Sequence, residues 1–129
     1  MKIFVLTKDF PKEEKYSLID QIRRSSRSIC VNIVEAYRKR LYPLHFISKL
    51  TDADMENSET IVWIEFAIGC KYLEETIGKS LINEYREIGK LIQYMINNPD
   101  KFGSQKIKMI INFYCQQRNQ KVPTANCQL

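Results

Sequence analysis

The sequence predicts an all-α protein. Four glycines and four prolines are all that interrupt 129 residues, and the long segments between them repeat apolar residues at spacings of three and four. That spacing lays one buried stripe along a helix and would scatter the same residues over both faces of a strand. The length gives one domain, large enough to bury a core and too small for an added active-site domain.

The elements follow in order. Met1 to Lys8 is a short apolar segment carrying Ile3, Phe4 and Leu6, and Phe10–Pro11 breaks it. Glu13 and Glu14 then suit the N-terminus of a new helix, where acidic side chains meet unpaired amides. This second helix is expected from about 12 to 41, and at about 100° per residue it aligns Leu18, Ile22, Ser25, Ile29, Ile33 and Ala36 on one seam, flanked by Ile19, Ser26, Cys30 and Tyr37. The small Ser25 and Ser26 admit close approach of a neighbouring helix.

Pro43 suits a first helical position and opens a third helix over about 43–72. Its core arc holds Phe46, Ile47, Leu50, Ala53, Ile61, Ile64 and Ile68. A second arc runs Asp52, Glu56, Glu59, Trp63, Phe66, Cys70, acidic first and apolar afterwards. An isolated bundle would expose Trp63 and Phe66, as surfaces that meet another chain do. A fourth helix starts between 74 and 80, near Gly78 and Ser80, and shows Leu81, Tyr85, Ile88, Leu91/Ile92 and Met95/Ile96 before Asn98–Pro99 ends it. Beyond it, KIKMIINFY allows a short helix or strand, and QQRNQKVPTANCQL reads as a disordered, mildly basic tail.

Net charge of +5 conceals a segmental pattern. Residues 1–42 hold ten Lys/Arg against five Asp/Glu, residues 43–78 two against seven, and residues 79–129 eight against three. An acidic middle between basic ends favours ion pairing between helices, and only the unpaired remainder attracts polyanions. No run of about 18 apolar residues occurs, and Lys8 and Asp9 cut short the apolar start, so neither a membrane span nor a signal peptide is expected and the location is read as cytoplasmic. Cys30, Cys70, Cys115 and Cys127 show no CxxC pairing and are read as reduced thiols.

Two blocks, FPKEEKYSLIDQIRRSSRSICVNIVEA and EYREIGKLIQYMI, resemble the 23S ribosomal RNA intervening-sequence protein family, with the likeness spanning about residues 3–102. The resemblance implies an antiparallel up-down four-helix bundle that assembles as a ring-like homo-oligomer, a pentamer, with no known catalytic activity. More distantly the chain is similar to the accessory bundle protein of diversity-generating retroelements, which binds nucleic acid beside a reverse transcriptase; that likeness implies RNA or DNA, and a reverse transcriptase or other protein, as partners. Family members carry about two or three further turns before the segment resembling MKIFVLTKDFP. Either Met1 is an internal start or the first helix is shortened and a core groove stays open. Residues 1–102 form the expected bundle, and 103–129 a partly disordered extension outside the resemblance.

Arg23, Arg24, Arg27 and Arg38 project within about 100° of arc opposite the seam of the second helix, and Lys39 and Arg40 extend them. One reading is a phosphate-contacting face with little base readout. The other is pairing with Asp52, Glu56 and Glu59 of the next subunit, which Val31 and Val34 favour for Arg23 and Arg27 because they suit a buried contact. Arg38, Lys39 and Arg40, together at a helix end, are the better nucleic-acid candidates. Asn32, Glu35 and Asn57 are read as polar groups that fix register or packing.

Chemistry is hard to place on this chain. The single histidine, His45, has Tyr42 three residues before it, so the Glu-x-x-His pairs of di-iron bundles are missing, and no motif supplies a base for a Ser or Cys nucleophile. The sequence therefore predicts a non-enzymatic oligomer, without metal or cofactor, that binds RNA or other nucleic acid as an accessory factor. The alternative is a protein-interaction scaffold whose arginines serve subunit contacts.

Overall fold

Small side chains set the approach of the two longest-packed helices. In the computed structural model, which describes residues 2–102, α2 (Leu18–Arg38) and α3 (Pro43–Gly69) form the most extensive helix contact. At its middle the hydroxyls of Ser25 and Thr60 hydrogen-bond at 2.9 Å, both fully buried. The described residues also contain α1 (Lys2–Leu6), a 3-10 helix over Lys12–Tyr16, α4 (Glu75–Asn97) and α5 (Pro99–Phe102), with no strand. The extension 103–129, with its expected short element and tail, lies outside the described residues.

The helix expected from about 12 to 41 is divided. The 3-10 helix ends at Ser17, whose φ of −122° and ψ of −106° break the helical path. Glu14 explains the division: its carboxylate accepts the Ser17 hydroxyl and, at 3.3 Å, the Leu18 amide, one of the donors a helix start leaves unpaired. Tyr72 donates to the same carboxylate at 3.2 Å, so the break is fastened to the α3–α4 turn. α3 also ends earlier than 72. Lys71 takes a left-handed φ of 60°, and the Tyr72 and Leu73 amides turn back to the Ala67 carbonyl at 2.9 and 3.2 Å, closing the helix C-terminus.

Two apolar clusters make up the core. One gathers Ile3, Phe10, Leu18, Ile19, Ile22, Ile64, Ala67, Leu73, Leu81 and Ile82, the other Ile29, Ala36, Phe46, Leu50, Ala53 and Ile92. Between them along α2 and α3 lie the buried polar residues Ser25, Asn57 and Thr60. Asn57 is buried on the core arc of α3, but the arc is rotated from the expected one: Thr60 and Ala67 are buried as well, whereas Ile47, Ile61 and Ile68 are half-buried at its edge. Helix α3 must meet a partner on each flank, so its small residues take the centre and its isoleucines splay toward α4. Gly78 of α4 shows how tight that flank is, since a Cβ there would fall 2.4 Å from Ile68 Cδ1.

α3 packs on both α2 and α4, whereas α2 and α4 make little direct backbone contact. α1 fills only one end of the space between them, leaving a groove of about 570 Å³ bounded by α1, α2 and α4. The seam of α2 is buried as expected except for half-buried Ile33, but Cys30 and Tyr37 beside it are exposed, Cys30 where it borders the groove and Tyr37 under the Arg40 guanidinium. No helix among the described residues is long and apolar enough to cross a membrane.

Candidate nucleic-acid interface

The six candidate cations of α2 and its C-terminus divide by what holds them. Arg23 is a fastener: its Nε donates to Thr7 Oγ1 at 2.7 Å and its guanidinium lies 4.7 Å from the Phe4 ring centroid, clamping α1 to α2. Arg24 reaches Glu59 of α3 at 3.2 Å. Arg40 folds back over Tyr37, 3.9 Å from its ring centroid, and donates to the Tyr37 carbonyl at 2.8 Å. Arg27, Arg38 and Lys39 are exposed and have no carboxylate partner among the described residues.

Arg27, Val31, Val34 and Arg38 are spaced four, three and four apart and so form one outward stripe. Val31 and Val34 are 55% and 62% exposed. The stripe ends where Lys39 caps α2, and the carbonyls freed at a helix C-terminus favour positive side chains there.

The acidic arc of α3 is largely engaged inside the chain. Glu59 binds Arg24 and accepts Trp63 Nε1 at 3.0 Å. Asp52 meets Lys49 at 3.4 Å, and one carboxylate oxygen of Glu56 is buried without a partner. Trp63 is half-buried against the first core cluster, and Phe66, 5.7 Å from it, remains 56% exposed. Of the expected interface residues, Val31, Val34 and Phe66 are thus the ones the chain itself leaves open.

The polar residues come together around a side chain the sequence did not single out. Lys49 of α3 approaches Glu35 Oε2 at 2.8 Å, Asp52 at 3.4 Å and Asn32 Oδ1 at 3.4 Å. Its hydrogen bond and charge hold Glu35 below the ordinary carboxylate range, and Glu35 in turn raises Lys49. The available signal was that Lys49 is one of only two cations in the acidic segment 43–78. Asn57 Nδ2 donates to the Tyr85 carbonyl of α4 at 3.0 Å.

A second overlooked feature lies on the outward side of α3. Leu44, Ser48, Thr51, Met55, Ser58, Val62 and Phe66 repeat at spacings of three and four, all exposed and none charged. Small and apolar residues are interspersed along a strip of the length of the helix, a pattern suited to packing against another helix.

No group of His, Cys, Asp and Glu among the described residues is arranged to hold a metal ion. His45 is exposed beside Tyr42, 6.0 Å between ring centroids. Cys30 and Cys70 are free thiols, while Cys115 and Cys127 lie outside the described residues.

In a comparison with protein families, the model described as 23S rRNA-intervening sequence protein matches residues 1–94. The chain belongs to this family. No curated protein and no solved structure matches it. All six candidate cations and the uncharged strip of α3 fall in the part shared with the 23S rRNA-intervening sequence protein family, whereas α5 falls beyond it.

Proposed function

We propose that this family member is a non-enzymatic, cytoplasmic accessory factor that assembles as a ring-like homo-oligomer and binds RNA or other nucleic acid on the basic surface of α2. The observation that carries this reading is the set of exposed cations Arg27, Arg38 and Lys39, none of them in an ion pair among the described residues, with Arg40 beside them. Repeated around a ring, such a set binds backbone phosphate through charge and counterion release, with little sequence preference. An up-down course of the bundle is supported by its pairings: Ser25 with Thr60 and Glu35 with Lys49, then Asp54 with Gln93 and Asn57 with Tyr85. In each series, rising numbers on one helix meet falling numbers on the next. Assembly is supported by the uncharged strip of α3, an exposed helix face that no other described residue covers.

The test measures solution mass by light scattering with and without a mixed cellular RNA pool, at low and raised salt. The expected result is an oligomer that takes up RNA and releases it as salt rises, with loss of uptake but unchanged mass in Arg27→Glu/Arg38→Glu/Lys39→Glu. RNA retention unchanged by these substitutions sinks the site. A second reading, a scaffold for a reverse transcriptase or another protein, is favoured by Val31 and Val34, whose exposed side chains separate the arginines. An oligomer indifferent to RNA supports that reading.

A further inference from the structure

Three tyrosines stand exposed at one pole of the bundle. Helix α2 ends there, α3 begins there and α4 ends there, and Ala36, Phe46, Ile92 and Phe102 join these ends in the second core cluster. Around that cluster Tyr37, Tyr42 and Tyr94 remain 56%, 64% and 49% exposed. A single exposed ring is ordinary, whereas several at one pole mark a contact surface.

Each ring has a nitrogen group beside it. The Arg40 guanidinium lies 3.9 Å from the Tyr37 ring centroid, and His45 stands nearly perpendicular to Tyr42 at 6.0 Å between centroids. Lys101 Nζ lies 4.9 Å from the Tyr94 centroid and donates to its hydroxyl at 2.8 Å. Arg38 and Lys39 add exposed charge next to Tyr37. Residues 36–46 and 94–102 together hold Arg38, Lys39, Arg40 and Lys101, against Asp100 as their one carboxylate. That balance favours a polyanion over a protein surface as the partner. Phosphate alone would use the cations and leave the rings idle. An unpaired nucleotide uses both, because its base stacks on an aromatic face while its phosphate meets the neighbouring cation. A duplex keeps its base faces inside its own stack and can use only the cations.

We infer that this pole is a stacking platform for single-stranded nucleic acid, in which Tyr37, Tyr42 and Tyr94 take unpaired bases and Arg38, Lys39, Arg40 and Lys101 take the adjoining phosphates. The inference rests on the proposed nucleic-acid reading and narrows its ligand to unpaired strands. Stacking of this kind is tolerant of sequence, since every base offers a π face.

Fluorescence anisotropy at low salt tests it by comparing a labelled oligouridylate of about 12 nucleotides, within the span of single-strand binding sites, with an RNA duplex of equal length. Phosphate charge by itself favours the duplex. The platform should reverse that order. Tyr37→Leu/Tyr42→Leu/Tyr94→Leu should weaken single-strand binding at least about tenfold and leave duplex binding unchanged, whereas Tyr37→Phe/Tyr42→Phe/Tyr94→Phe, which keeps the rings, should bind as before. Tyr42→Trp should lose indole emission when the oligouridylate is added, measured against the unsubstituted protein, whose Trp63 packs on the other cluster. Single-strand binding that survives the leucine variant, or Tyr42→Trp emission that the strand leaves unmoved, overturns the platform while duplex uptake keeps the basic surface of α2 standing. A lower assembled mass of the leucine variant assigns the pole to a subunit contact and overturns the platform as well. Absence of binding to either RNA overturns it together with the proposed function.

Discussion

Asn57 of α3 holds the backbone carbonyl of Tyr85 on α4 at 3.0 Å, across the point where α4 carries Gly89. A Cβ at Gly89 would stand 3.1 Å from the Asn57 amide nitrogen, so the side chain must give by a few tenths of an ångström, a shift its hydrogen bond to the Tyr85 carbonyl resists. Gly89→Ala should therefore destabilise the protein by about 1 kcal/mol even though alanine favours a helix by a similar amount. In an Asn57→Ala background the same substitution should stabilise it. Thermal unfolding of the four proteins tests the coupling, and additive effects would refute it.

The Lys49 cluster predicts a pH window. The Lys49 hydrogen bond lowers Glu35 from its ordinary 4.5, so this contribution is complete above about pH 4.5 and is lost as pH falls through the folded value. Lys49 is raised from 10.5, chiefly by its hydrogen bond to Glu35, so its contribution is complete below about pH 10.5 and is lost as pH rises through the folded value. Lys49→Met should flatten the dependence of unfolding midpoint on pH at both edges. Glu14, lowered first by its Ser17 hydrogen bond, leaves part of the acid dependence in place.

Tyr85 governs the alkaline side in another way. Burial pushes its phenol up to about 12 from the ordinary 10.0, so the neutral form belongs to the folded state and stability falls as pH rises from about 10 toward 12. Phenolate absorbance should show Tyr85 ionising well after the exposed tyrosines, with Tyr72, raised by burial and by its hydrogen bond to Glu14, also delayed. Tyr85→Phe should remove that late step and reduce the alkaline loss of stability.

The proposed assembly through the outward strip of α3 is separable from folding. Met55 and Phe66 are 67% and 56% exposed, so Met55→Glu or Phe66→Glu should lower the assembled mass while shifting monomer stability by no more than about 0.5 kcal/mol. Trp63→Asp should impair both, because Trp63 also packs on the core and donates to Glu59. Light scattering and thermal unfolding on the same samples distinguish the two, and an unchanged mass in both glutamate variants would exclude the strip as an interface.

How much of this was legible follows from where each contact is decided. The α2 seam is a property of one helix, and its spacing marks Leu18, Ile22, Ser25, Ile29 and Ala36 without knowledge of any neighbour. The Ser17 break is local too, yet it depends on the Glu14 carboxylate turning back to the chain, which periodicity does not register. Partners across helices were the least legible. Arg23 and Arg24 sit side by side in sequence, but the first is drawn to Thr7 and the second to Glu59, because about 100° of helical turn sends them to opposite neighbours. Which charges stay outside ion pairs is settled by those azimuths, so the proposed cationic site could be narrowed to Arg27, Arg38 and Lys39 only with the helices packed.

The belt of Ser25, Asn57 and Thr60 between the two apolar clusters gives the molecule a seam in its energy landscape. Each cluster can loosen while the hydroxyl and amide bonds of the belt keep the other half intact, so opening proceeds in two stages of unequal free energy. Amides of the half containing Phe46 and Ile92 and amides of the half containing Ile22 and Ile64 should then exchange with solvent at two distinct rates, with the boundary at the belt.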